Sequence, residues 1–204
     1  MTEHVQGVVD IGKLVLQFAR VNRATFHEDG IRPESDTDHT VMLSVCACAL
    51  ASKFYPELDL GKIAQFAIVH DVVEVYAGDT DSFGITEESK VAKDEREHAS
   101  FLRIKGEFEN VFPWIPETIA RYEALDSKEA RFVKTVDKAM SKITHILNNG
   151  QYFKNRGLSE TEFIRDYTTV TKTAEQKYGA EFPGMITLLE ELMEEARKKT
   201  YELH

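Results

Sequence analysis

The chain has 204 residues, of which 42% are hydrophobic and 29% charged, an ordinary soluble globular composition with length enough to bury a core. Its formal net charge of −10 argues against a nucleic-acid polymer as main partner, since duplex binding calls for a basic face, but leaves room for a small phosphorylated substrate. The N-terminus lacks the basic-then-apolar order of a secretory signal, and the longest nearly apolar run, 40–51, is too short to cross a bilayer, so the expected location is cytoplasmic, with no membrane partner.

Val8, Ile11, Val15, Phe18 and Ala19 keep a helical period and predict a helix over 5–19. The stretch HEDGIRPES, punctuated by Gly30 and Pro33, reads as a loop. Ser35 or Asp36 is the N-cap candidate for a helix over 36–53, which is apolar nearly all round and therefore expected to be central. Cys46 and Cys48 on that helix lie about 200° apart around its axis, so they neither bridge nor share a metal, and both read as small core residues.

Residues 60–77 contain a β-branched run that would suit a buried strand. Length and the spacing Ile63, Phe66, Ala67, His70, Val73, Ala77 favour a helix, with Gly78 as its stop. Residues 87–109 read as a charged surface helix, 129–147 as an amphipathic one, and 159–178 and 183–199 as two more. The pairs Glu190-Glu191 and Glu194-Glu195 read as a solvated face. With no hairpin signal, repeat or linker in the chain, the expected fold is all-α, a single-domain helical bundle over 1–204.

The stretch FAIVHDVVEVYAGD, 66–79, sets His70, Asp71 and Glu74 among apolar residues, where they are costly unless neutralised. On a helix the three share one sector, which points to a metal more than to a buried ion pair. His39 follows Asp38 one turn into the second helix, and Asp137 interrupts an apolar face between Val136 and Met140. Two histidines and two aspartates from three helices make a mixed imidazole–carboxylate shell, suited to Mn, Co, Zn or Fe rather than Ca. His27, His98 and His145 are assigned no site role, and Lys134 and Lys138 read as surface lysines.

The pattern His39 … His70-Asp71 … Asp137 resembles the H…HD…D signature of the HD-domain metal phosphohydrolases. The fuller string HDVVEVYAGD resembles the HDxxEVxxGD segment of their 5′-nucleotidase branch, and RPESDTDH resembles that branch's approach to its first metal histidine. The likeness covers about 8–150, with the last two helices, about 159–199, consistent with packing on that region. It implies an all-helical HD-type bundle, one divalent ion per chain (Mn, Co, Zn, Fe or Mg), and release of phosphate from nucleoside 5′-monophosphates, often deoxyribonucleotides; a homodimer is the family-level expectation. Carried over, His39, His70, Asp71 and Asp137 are the metal ligands, and Glu74 and Asp79 the acid/base and substrate-positioning carboxylates. A substrate-binding arginine falls on Arg23 in preference to Arg20, and Phe26 stands where relatives often carry tryptophan.

These residue types suit the chemistry. A divalent ion polarises a phosphoryl oxygen and acidifies a bound water, two aspartate ligands soften that activation, and a nearby base such as Glu74 compensates. An arginine offers the phosphate a planar, bidentate contact. The absence of histidine between 72 and 97 favours a single ion. A phosphodiesterase or polyphosphate hydrolase would want more basic residues, and a non-catalytic metal-stabilised binding protein would have no use for Glu74 and Asp79.

Overall fold

A computed structural model describes residues 2–202; His204 lies outside them. The elements in chain order are α1 (Glu3–Phe18), β1 (Asn22–Phe26), β2 (Pro33–Ser35), α2 (Asp36–Phe54), α3 (Leu60–Val69), α4 (Glu74–Ala77), α5 (Glu87–Phe108), α6 (Trp114–Ala124), α7 (Lys128–Leu147), α8 (Gln151–Arg156), α9 (Glu160–Tyr178) and α10 (Pro183–Tyr201). The architecture is all-α but for the short pair β1–β2. No helix among the described residues is long and apolar enough to cross a membrane.

The chain forms two compact units. The first runs up to Arg23 and then from Ser35 to Ala130; the second joins Ala24–Glu34 to the residues from Arg131 onward. In the first, α2 packs on α3, α3 and α5 pack on α6, and α4 lies on α5. Leu43, Ala47, Ile63, Phe66, Ala67, Ile104 and Ile119 are fully buried there. In the second, α9 and α10 pack together and Phe153, Phe163, Tyr167 and His145 stack edge to face or tilted. Arg131 grips Glu181 through Nε and Nη2 at 2.8 and 2.9 Å.

Four features depart from the sequence expectation. The last three residues of the expected loop HEDGIRPES form β2, which pairs with β1. Asp29 Oδ1 accepts from the backbone N–H groups of Ile31 and Arg32 at 2.7 and 2.9 Å, and Gly30 takes φ 68°, so an Asx turn folds the chain back. Strands of five and three residues are too short to show a period of two.

The helix expected over 60–77 is broken. α3 stops at Val69, and Val72 N–H, Glu74 N–H and Val75 N–H each reach back only three residues, to Val69, Asp71 and Val72, across the break that leads into α4. His70 Nδ1 sits 2.8 Å from the carbonyl of Ala67, the acceptor that Asp71 N–H would need in a continuing helix. The side chain thus competes with the ladder at the point where the site is built.

Exposure also differs from expectation. Val8 and Val15 of α1, and Val41 and Val45 of α2, face solvent; α1 buries Gly7, Leu14 and Phe18, and α2 buries one face through His39, Leu43, Ala47 and Ala51. Hydrophobicity all round therefore does not make α2 central. Cys46 and Cys48 are free and half-buried. Finally, α6 and α8 occupy segments with no helix assigned from sequence, each ended by a left-handed residue, Leu125 and Gly157.

Candidate active site in the first unit

The first unit gathers Arg23, Asp36, His39, His70, Asp71, Glu74 and Asp79. α2 delivers two of them because its start is tightly fixed: Ser35 Oγ accepts from Asp38 N–H at 3.2 Å, and Asp38 Oδ2 accepts from Ser35 N–H at 3.1 Å. Asp38 is absorbed by this capping box, while Asp36 and His39, three apart, turn inward together. The break after α3 presents His70 and Asp71, and α4 presents Glu74. Gly78, at φ 75° and ψ 148°, turns the chain out of α4 and brings Asp79 back to the cluster.

Asp71 Oδ2 is the meeting point. It lies 2.9 Å from His70 Nε2, 3.9 Å from His39 Nε2 and 3.0 Å from Arg23 Nη1, and the two imidazole rings are 5.2 Å apart. The same Nη1 donates to Asp36 Oδ1 at 3.1 Å and stands 3.7 and 3.8 Å from Glu74 and Asp79. Arg23, on β1, is thus the arginine among the carboxylates, whereas Arg20 is exposed.

The donor set fits a divalent ion. His70 Nδ1 is engaged with Ala67 O, which directs Nε2 toward Asp71. That Nε2 is buried and has no hydrogen bond of good geometry, although a carboxylate oxygen is 2.9 Å away. A neutral imidazole lone pair facing a carboxylate is repulsive unless a proton or a cation stands between them, and His39 Nε2 converges on the same oxygen. Asp137 belongs to the second unit, on α7, where its Oδ2 accepts from Lys138 Nζ at 2.9 Å.

Asp36, Glu74 and Asp79 form a second acidic group, one oxygen of each lying within 4.8 Å of the others. Asp36 is fully buried and Glu74 side-chain exposure is 3%; among the described residues Asp36 Oδ2 and Glu74 Oε2 have no hydrogen-bond partner. Burial, reinforced by Asp71, Asp36 and Asp79 and opposed by Arg23, pushes the Glu74 carboxyl up to about 10. Burial likewise raises Asp36 to about 6 against the pull of Arg23, and raises Asp79. The sequence reading missed Asp36, although its place three residues before His39 on one helix put it on the same face.

The histidines without a site role in the sequence reading have other surroundings. His98 is exposed, His27 pairs with Arg32, and His145 packs among aromatic rings of the second unit. Glu34 accepts a hydrogen bond from Thr25 Oγ1 across the strand pair.

The sequence profile of the HD domain family matches residues 16–178. The 5′-deoxynucleotidase YBR242W of Saccharomyces cerevisiae is 25% identical over 192 residues, covering 85% of this chain and 77% of that protein. The crystal structure of a predicted metal-dependent phosphohydrolase from Magnetospirillum magnetotacticum MS-1 superposes with a TM-score of 0.76 at 21% identity, covering 98% of each chain. A conserved hypothetical protein from Pyrococcus furiosus superposes with a TM-score of 0.60 at 22% identity, over 93% of this chain and 99% of its own. The chain belongs to the HD domain family.

Proposed function

We propose that the protein is a phosphomonoesterase releasing phosphate from nucleoside 5′-monophosphates, 2′-deoxyribonucleotides among them, with one divalent ion held by His39, His70, Asp71 and Asp137. The observation that carries this reading is the convergence of two imidazole Nε2 atoms on Asp71 Oδ2 beside the half-buried Arg23 guanidinium and the buried Glu74, whose Oε2 has no hydrogen-bond partner among the described residues. The activity named for the yeast relative supports the nucleotide class. When bound, the ion supplies positive charge to a phosphoryl oxygen and acidifies a coordinated water. Arg23 orients the phosphate through the in-plane N–H groups of its guanidinium edge. Glu74, buried beside Asp71 with one oxygen free of hydrogen bonds among the described residues, holds or moves the proton of the reaction. Asp79, in the loop after Gly78, positions the sugar.

A phosphate-release screen of ribo- and deoxyribonucleoside mono-, di- and triphosphates against Mn, Co, Zn and Mg tests the reading. Monophosphates should give the highest kcat/KM, because two cations, Arg23 and Lys93, stand beside Glu74 in the first unit. A triphosphate turned over more efficiently than its monophosphate would overturn this and favour a polyphosphate hydrolase.

Asp71→Ala should lose metal and activity together, since Asp71 Oδ2 stands 2.9 Å from His70 Nε2 and 3.9 Å from His39 Nε2. Elemental analysis of the purified variant checks it; full occupancy would remove Asp71 from the ligand set. Asp137→Ala, assayed in the same way, tests the fourth ligand.

A further inference from the structure

The sequence of α5 reads as a charged surface helix, yet one of its faces docks on the site segment. Ser100 Oγ donates to the Val73 carbonyl, Arg96 Nη2 donates to Thr80 Oγ1 at 2.8 Å, and Lys93 Nζ lies 3.7 Å from Glu74 Oε1. Positions 93, 96 and 100 follow the helical repeat, so one face meets residues 73–80. Building on the function proposed above, we propose that Lys93 is a substrate-binding residue, the second cation of the phosphoryl pocket, pairing with the phosphate of the bound nucleotide.

Three observations support it. Glu74 is bracketed by positive charge, with Arg23 Nη1 3.7 Å from Oε2 and Lys93 Nζ 3.7 Å from Oε1, so the two cations flank the carboxylate expected to work on the phosphoryl group. Arg23 is already shared among four carboxylates through one nitrogen, and an arriving phosphate dianion has to compete with all of them. Lys93 is paired with Glu74 and, at 3.2 Å, with Glu97, its neighbour one helical turn on, which can turn to solvent without moving the backbone.

Solvent reaches Lys93 more than its neighbours: its side chain is 28% accessible against 3% for Glu74 and 19% for Arg23. Burial works to lower the Lys93 pKa, but Glu97, Glu74 and Asp71 outweigh it and raise the pKa, so the charge is present at neutral pH. The ammonium, a compact point charge on a flexible stem, can leave the glutamates for a phosphate with little loss of its ion pairing.

The test uses the manganese-loaded full chain, with Lys93→Met, Lys93→Arg and, as a control, Lys90→Met at the exposed lysine one turn earlier on the same helix. Calorimetric titration with inorganic phosphate should show binding weakened about 10–100-fold in Lys93→Met, partly restored in Lys93→Arg and unchanged in Lys90→Met. With a nucleoside monophosphate, KM should rise by a similar factor while kcat changes less. Unchanged phosphate affinity in Lys93→Met, or equal weakening in Lys90→Met, overturns the proposal, as does wild-type protein that binds no phosphate. Lys93-dependent phosphate binding in a wild type that hydrolyses no nucleotide would support Lys93 and sink the function proposed above, so the two fail separately.

Discussion

Glu74→Gln should keep its metal and lose turnover by about 10²–10⁴-fold, the usual contribution of a general acid–base group, roughly 3–5 kcal/mol of barrier. The substitution keeps the shape of a side chain that is 3% exposed, so packing around α4 is retained. It removes the proton-transfer capacity and nothing from the His39–His70–Asp71 convergence. Metal content and turnover measured on one preparation separate the roles. A drop in metal affinity of about 10–100-fold with turnover per bound ion unchanged would make Glu74 a partner that orients the ligands. Loss of one ion per chain from a protein that holds two would mean that Asp36, Glu74 and Asp79 bind a cation of their own.

Stability gives an independent check on the same variant. The Glu74 carboxyl is raised from 4.5 to about 10 in the metal-free fold, so between those values the native state holds a proton that the unfolded chain has released. The contribution is therefore fully present below about 4.5 and is lost as pH rises toward about 10. Metal-free wild type should lose stability to urea from pH 5 to pH 8 more steeply than metal-free Glu74→Gln. Parallel slopes would mean that Glu74 is ionised in the folded state.

The local chemistry of the site was legible because it is written in contiguous residues. His70, Asp71, Glu74 and Asp79 fall within one stretch whose apolar neighbours make any buried charge conspicuous. The capping box at Ser35 and Asp38 fixed the start of α2, and with it the inward turn of His39. What the sequence concealed depends on packing or on side chains competing with the backbone. The break after Val69 arises because the His70 ring takes the Ala67 carbonyl, which no periodicity reports. The role of α5 was hidden because a lysine in a run of charges looks the same whether it faces water or Glu74. The exposed Val41 and Val45 show the converse: an apolar helix surface is not proof of burial.

Lys142→Met should stabilise the protein at neutral and acidic pH, the direction opposite to most core substitutions. Lys142, on α7 in the second unit, is fully buried; its Nζ donates to the Lys138 carbonyl at 2.9 Å and lies 4.4 Å from the centre of the Tyr167 ring. Burial, aided by repulsion from Lys138 and opposed by Asp166 and Asp137, lowers its amine from 10.5 to about 7. Between those values the unfolded chain holds a proton that the native state has released, so wild-type stability rises with pH through this window. Below about 7 the fold carries the whole penalty of a buried ammonium, on the order of 5 kcal/mol from a shift of this size. Methionine matches the length of the lysine stem and loses a single hydrogen bond, worth about 1 kcal/mol, to a carbonyl already within the helix ladder. Urea unfolding of both proteins at pH 6 and pH 9 checks the inference, since the other titrating groups cancel in the difference. The gain for Lys142→Met should be about 2–3 kcal/mol larger at pH 6 than at pH 9. A gain independent of pH would mean that the buried amine keeps its ordinary basicity, and a net loss at pH 6 would mean that its contacts with Lys138 and Tyr167 outweigh the desolvation that burial imposes.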